Sequence, residues 1–172
     1  VCFFIAACFF IKGSAMSARQ FKHNSYSLTD ASSAFDLEIA WTMLTRSYWS
    51  PGVPKETVRL AAANSWTFSL LAPDGSFVGM ARFVTDRSTF AYLADVIIAE
   101  DHRGQGLGRW MMTCLHDLPE IQACRRLMLM TADAHSLYRK IGYSGLAAPD
   151  RAMELHRPDI YRRTADQDGA TL

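Results

Sequence analysis

Val96-Ile97-Ile98-Ala99-Glu100-Asp101-His102-Arg103-Gly104-Gln105-Gly106-Leu107-Gly108-Arg109 joins the end of an apolar run to the start of a helical pattern. Upstream, Thr89 to Ile98 reads as the longest strand of the chain. Downstream, Leu107, Trp110, Met111, Cys114, Leu115 and Leu118 recur on the 3.6-residue period of an amphipathic helix. Three alternating glycines at such a junction let backbone N–H groups converge on one point. The helix N-terminus adds unsatisfied donors and the positive end of its dipole. A loop of this kind suits an anion, a phosphate or pyrophosphate, and Arg103 and Arg109 bracket it with charge. No Gly-Lys-Ser/Thr ends the run, so it is not a Walker loop. Its G-x-G-x-G spacing also departs from the dinucleotide fingerprint G-x-G-x-x-G.

Working outward, a capping signal at Ser32–Ser33 precedes Leu37, Trp41, Leu44 and Tyr48, which predict a first helix. Pro54 can open a second helix through Ala63. Trp66 to Leu71 and Phe77 to Val84 form the arms of a hairpin around Pro73-Asp74-Gly75. Beyond the long helix, Leu127 to Thr131 predicts a short strand. Asp133 can cap a helix with Ala134, Leu137, Tyr138 and Ile141 on its apolar face, stopped by Gly142. Ala152 to Leu155 reads as a last short strand. The expected fold is an α/β domain of the α+β layered kind, with a mixed, mostly antiparallel central sheet flanked by helices. The strands on either side of the long helix should be parallel, with a right-handed crossover.

The chain has 172 residues, 49% apolar and 20% charged, enough for one ordinary core and too apolar for intrinsic disorder. Eighteen Lys and Arg against 17 Asp and Glu give a net charge of +1, so nothing global draws the protein to nucleic acid or anionic membrane. Four scattered cysteines, without a C-x-x-C pair, signal neither a disulfide framework nor a zinc ribbon, and the five histidines show no metal-ligand spacing. The apolar run Val1 to Ile11 is well short of the roughly 20 residues of a membrane-spanning helix. Residues 1–15 are expected to lie outside the functional domain, which takes residues 16–156, with 157–172 as a polar tail. The expected location is cytoplasmic.

Arg103-Gly104-Gln105-Gly106-Leu107-Gly108 fits the R/Q-x-x-G-x-G/A signature of the GNAT superfamily of acetyl-CoA-dependent N-acetyltransferases. Leu137-Tyr138-Arg139-Lys140-Ile141-Gly142-Tyr143 resembles the second hallmark of that family, and the element order from Tyr26 to Leu155 is similar. The resemblance implies the acyl-CoA N-acyltransferase fold and acetyl-CoA as acyl donor, with no metal. It places the pantetheine along Val96, Ile97 and Ile98 and the pyrophosphate on Arg103, Gly104, Gln105, Gly106, Leu107 and Gly108. It also implies an amine acceptor, small molecule or protein, a wall of the acceptor pocket near Tyr48 and Trp49, and a general acid at Tyr138.

The residues bear on these roles directly. A phenol of pKa about 10 is protonated at neutral pH and can protonate a thiolate of intrinsic pKa on the order of 8.5. Otherwise Tyr138 fills the apolar face it shares with Leu137 and Ile141. Strict alternation would put Leu93, Asp95 and Ile97 on one face of the strand. A carboxylate in such surroundings needs a partner or a task. Asp95 then anchors an ammonium substrate, takes its proton through water, or pairs structurally with Arg82 or a backbone N–H. Cys114 belongs to the helix's apolar face rather than to chemistry, and His135 to a surface or capping position. Two functions fit: direct acetyl transfer to a primary amine in a ternary complex, or an acyl-CoA-binding sensor or interaction domain without turnover. The oligomeric state is either monomer or homodimer.

Overall fold

Two helical layers cover a six-stranded sheet in the computed structural model, which describes residues 18–161. In chain order the elements are β1 (Gln20–His23), β2 (Tyr26–Thr29), α1 (Leu37–Leu44), α2 (Lys55–Ala63), β3 (Trp66–Leu71), β4 (Phe77–Thr85) and β5 (Phe90–Ile98). They are followed by α3 (Leu107–His116), α4 (Pro119–Gln122), β6 (Arg126–Met128) and α5 (His135–Arg139). The strands lie in sequence order, antiparallel from β1 to β5, with β6 parallel to β5. This is the mixed, mostly antiparallel sheet expected from the sequence. The apolar extension 1–15 and residues 162–172 of the tail lie outside the described residues.

Each face of the sheet has its own core. Phe68, Leu70, Phe83, Ala91 and Leu93 pack with Met111, Met112 and Leu115 of α3. On the opposite face Met80 and Ile97 pack with Ala40 and Leu44 of α1 and Val58 of α2. Among the described residues no helix is long and apolar enough to cross a membrane.

Several local expectations change. The outer hairpin β1–β2 did not announce itself, because its strands are four residues each. Its two-residue turn holds Asn24 at a φ of 52°, a conformation Asn tolerates better than most residues. The cap of α1 is Asp36, whose carboxylate accepts from the Ile39 N–H at 3.0 Å; Ser32–Ala34 forms a separate 3-10 turn. Helix α1 stops at Leu44, so Tyr48 lies beyond it. At α5, Thr131 Oγ1 accepts from the Ala134 N–H at 3.0 Å, and Asp133 does not cap the helix. Strand β6 is only three residues long, and Ala152–Leu155 forms no strand: Met153 and Leu155 are almost wholly exposed.

Among the described glycines, Gly79 in the β4–β5 pair is the one pressed against another strand's backbone. A Cβ placed on Gly79 would sit 2.7 Å from the Ile97 carbonyl oxygen and 3.2 Å from Ile98 Cα. Backbone atoms cannot rotate aside, so Gly79→Ala must push β5 away from β4. The expected result is a lower Tm, with a cost of about 1–3 kcal/mol as for other overpacked sites. An unchanged melting curve would show that β5 yields freely there.

Candidate active site

The site begins where β5 loses its regularity. Met80 pairs with Ile97 and Arg82 with Ala94, so two steps along β4 match three along β5. The extra residue forms a bulge, and Asp95 takes a φ of 51°. Strict alternation therefore fails. Leu93 and Ile97 lie in opposite cores, while Val96 and Ile98 pack on the α3 side. Asp95 is mostly buried and ion-paired with Arg82, whose Nε donates to its Oδ2 and whose Nη1 donates to Ser65 Oγ at 3.0 Å. Pairing between β5 and β6 ends at Tyr92 and Met128. From Leu93 onward, then, β5 has no strand on that side. The side chains of Val96, Ile97 and Ile98 belong to the cores, and what they present along this edge is main chain.

Past β5 the chain makes a 3-10 turn at Glu100–His102 and enters the glycine-rich loop. Gly104 and Gly106 have φ of 76° and 78°, a region that L side chains rarely adopt. A Cβ on either would meet nothing within 4 Å. Gly106 is the N-cap of α3, and no side chain caps that helix, so its first N–H groups are left without a side-chain partner. The space over the glycines is room for a ligand rather than for packing, and these donors suit a pyrophosphate. The Leu107 side chain is buried in the core, so only its backbone faces the loop. Gly108 runs 3.7 Å from Ile98 Cδ1 at its would-be Cβ. Gln105 and Arg109 are exposed. Arg103 Nε donates to the Ile98 carbonyl at 2.8 Å, tying the loop to the end of β5 while its side chain stays 56% exposed.

A brace that the sequence did not reveal holds this loop from outside. Tyr26 hydroxyl lies 2.8 Å from His102 Nδ1 and 3.3 Å from Gln105 Oε1, and His23 stacks on Trp110 at 5.2 Å. The outer hairpin thus holds both the loop and the first turn of α3. Only the aromatic and histidine content of the segment 21–26 could have hinted at it.

Tyr138 packs in the same core as Leu107 and Met111, with Val96 and Ile98 against it. Its hydroxyl makes no hydrogen bond to a described residue. Burial, with smaller contributions from Tyr48 and Asp133, pushes its pKa up to about 12. The phenol therefore stays protonated and its proton is not engaged. Tyr138 also lines a cavity of about 470 Å³ with Met128, Met130, His135 and Tyr143. Behind it, Tyr143 lies edge-on at 5.9 Å and its hydroxyl is 2.9 Å from His116 Nε2. His116 Nδ1 sits 2.7 Å from the Met112 carbonyl, and burial lowers the His116 pKa, which keeps the ring neutral. Tyr48 reaches the loop before α5: its hydroxyl accepts from the Ala132 N–H at 2.9 Å and donates to Asp133 Oδ1 at 3.2 Å. Trp49 lies edge-on to Tyr48. The structure thus gathers Val96, Ile98, the glycine loop and Tyr138 around one core, with Tyr48 linked to the approach to α5. Asp95 turns instead to Arg82. Cys114 packs against the core, and burial raises its thiol pKa, the opposite of what a thiolate nucleophile needs. Among the described residues no group of three or more His, Cys, Asp or Glu is arranged to hold a metal.

Comparison with known proteins converges on one family. The model of the acetyltransferase (GNAT) family matches residues 37–143. A crystal structure from Xanthomonas campestris, provisionally assigned as an acetyltransferase of the GNAT family, is 32% identical. That alignment covers 79% of this chain and 96% of the other, with a TM-score of 0.76. A Gibberella zeae protein provisionally named an acetyltransferase is 45% identical over 64 residues; the match covers 37% of this chain and 36% of that protein's length. A GNAT family acetyltransferase from Elizabethkingia anophelis, solved with acetyl-CoA bound, shares the fold at 13% identity and a TM-score of 0.56, covering 78% and 90% of the two chains.

Proposed function

Because this chain belongs to the GNAT family of acetyltransferases, we propose that it transfers an acetyl group from acetyl-CoA to a primary amine by direct attack in a ternary complex. The observation that carries this reading is the cradle at the end of β5. It combines two left-handed glycines with free space over them, an uncapped helix N-terminus and a strand edge without a partner. Gly104, Gln105, Gly106 and Gly108 would hold the pyrophosphate on backbone N–H groups, with Arg103 and Arg109 adding charge. The open edge of Val96, Ile97 and Ile98 would take the amide-bearing arm of the cosubstrate as a strand takes a neighbour.

In this reading the neutral amine nitrogen bonds to the thioester carbonyl carbon and the carbon–sulfur bond breaks. Tyr138 gives its proton to the departing thiolate, the nitrogen's surplus proton leaves to water, and the Tyr138 phenolate takes a proton back from water, which restores the starting enzyme. A hydroxyl without a protein partner fits a proton donor better than a packing tyrosine does. Asp95 acts as a positioning residue: its ion pair with Arg82 fixes the bulge that aims the strand end at the loop. Tyr48 and Trp49 border the side from which the acceptor arrives.

Calorimetric titration with acetyl-CoA, followed by thiol release against a panel of amines, tests the reading. Saturable binding and amine-dependent thiol release are expected. Binding without release for every amine would instead support a sensor or interaction domain.

A further inference from the structure

Asp133 is held by the protein but not neutralised by it. Its Oδ1 accepts from Tyr48, and Thr131 Oγ1 lies 3.4 Å away, whereas Oδ2 takes no hydrogen bond from a described residue. No Lys, Arg or His among the described residues forms an ion pair with it. It stands one residue before Ala134, the N-cap of α5, and caps no helix N–H. Asp133 is exposed, and the ring of Tyr48 that holds it is 53% exposed and lies edge-on, at 4.9 Å, to the 43% exposed ring of Trp49. A fixed, exposed carboxylate held by one exposed ring that a second ring adjoins has the chemistry that recognises an organic cation.

The position links this cluster to the reaction. The Tyr138 N–H donates to the Ala134 carbonyl at 3.2 Å, one turn along α5. A long helical side chain leans over the preceding turn, so Tyr138 leans toward the segment that holds Asp133. The reacting nitrogen must be neutral to attack, and a carboxylate at that nitrogen would favour its ammonium form. Asp133 therefore suits a second positive charge on the acceptor, not the amine that reacts.

Resting on the acetyl-transfer reading above, we propose that Asp133, Tyr48 and Trp49 form a cation subsite, and that the acceptor is an amine carrying a second ammonium group, a di- or polyamine in chemical class. Asp133 and the rings hold one ammonium while the other end, deprotonated, is presented beside Tyr138.

The test compares linear diamines of increasing length with monoamines of the same carbon chain. For the wild type, kcat/KM for the best diamine should exceed that of its matched monoamine by tenfold or more, on the order of one charge-assisted contact. Asp133→Asn should remove this preference by raising KM for the diamine on the order of tenfold, without altering KM for acetyl-CoA. Asp133→Glu should restore part of it. Tyr48→Phe keeps the ring but releases the carboxylate, and should give an intermediate loss. Equal use of diamines and monoamines by the wild type would overturn the subsite, as would an undiminished diamine preference in Asp133→Asn. Transfer to another amine of the panel but to neither of these series would overturn the subsite alone; tight binding of acetyl-CoA without thiol release for any amine would overturn the transfer reading itself, and the subsite with it.

Discussion

Replacing Tyr138 by Phe should slow single-turnover acetyl transfer by about 10²–10⁴-fold, the usual contribution of a placed general acid. The ring remains, so its burial beside Leu107 and Met111 is retained. The lost hydroxyl makes no hydrogen bond to a described residue, and its pKa is raised by burial, so removing it sacrifices no protein hydrogen bond. The melting temperature should hold and KM for acetyl-CoA should barely move. In the wild type the elevated pKa means that Tyr138 does not lose its proton through the neutral and mildly alkaline range. The pH profile there should therefore show no falling limb from Tyr138. Single-turnover measurement separates the chemical step from product release. A Phe variant that transfers at the wild-type rate would remove Tyr138 from the mechanism.

The second large effect is expected at Gly106. Its left-handed backbone makes any L side chain cost about 1–2 kcal/mol, so lost stability alone would not identify a cradle. Gly75 supplies the control, since it has a φ of 85°, free space at its Cβ and a place in the β3–β4 turn. Gly75→Ala and Gly106→Ala should lower the melting temperature to a similar degree. Only Gly106→Ala should also weaken acetyl-CoA binding, by about tenfold or more if a methyl group displaces one charge-assisted contact, and Gly106→Val should abolish it. Wild-type affinity in Gly106→Ala would show that the loop does not hold the pyrophosphate.

Sequence reading recovered the elements whose signals are local. The β3–β4 hairpin is marked by Pro73-Asp74-Gly75, and α3 by a period that places Leu107, Met111 and Leu115 in one core. The glycine loop was equally legible, because its conformation depends on residue types within a few positions. What escaped depends on distant partners. The four-residue strand β2 pairs with the edge of β3, and β1 pairs in turn with β2. The bulge at Asp95 arises from the fit of β5 to β4 and to two cores at once, and no run of hydrophobicity encodes it. Asp133 does not cap α5, whose N-cap is Ala134; its carboxylate is engaged instead by Tyr48, 85 residues away in sequence.

That bulge makes chain length, more than side-chain identity, the guarded quantity in β5. With Asp95 as the extra residue, Ile97 fills the α1–α2 side while Val96 and Ile98 fill the α3 side. Were Asp95 to lie flat as an ordinary strand residue, all three would exchange layers, and both cores would lose their fit. Removing Asp95 would leave the layers correct but straighten the strand and lose the anchor for Arg82. Adding a residue after it would send Ile97 into the wrong layer. A residue at 95 that accepts a left-handed backbone, such as Asn or Gly, disturbs none of this count. The layering of this strand is therefore more tolerant of substitution than of insertion.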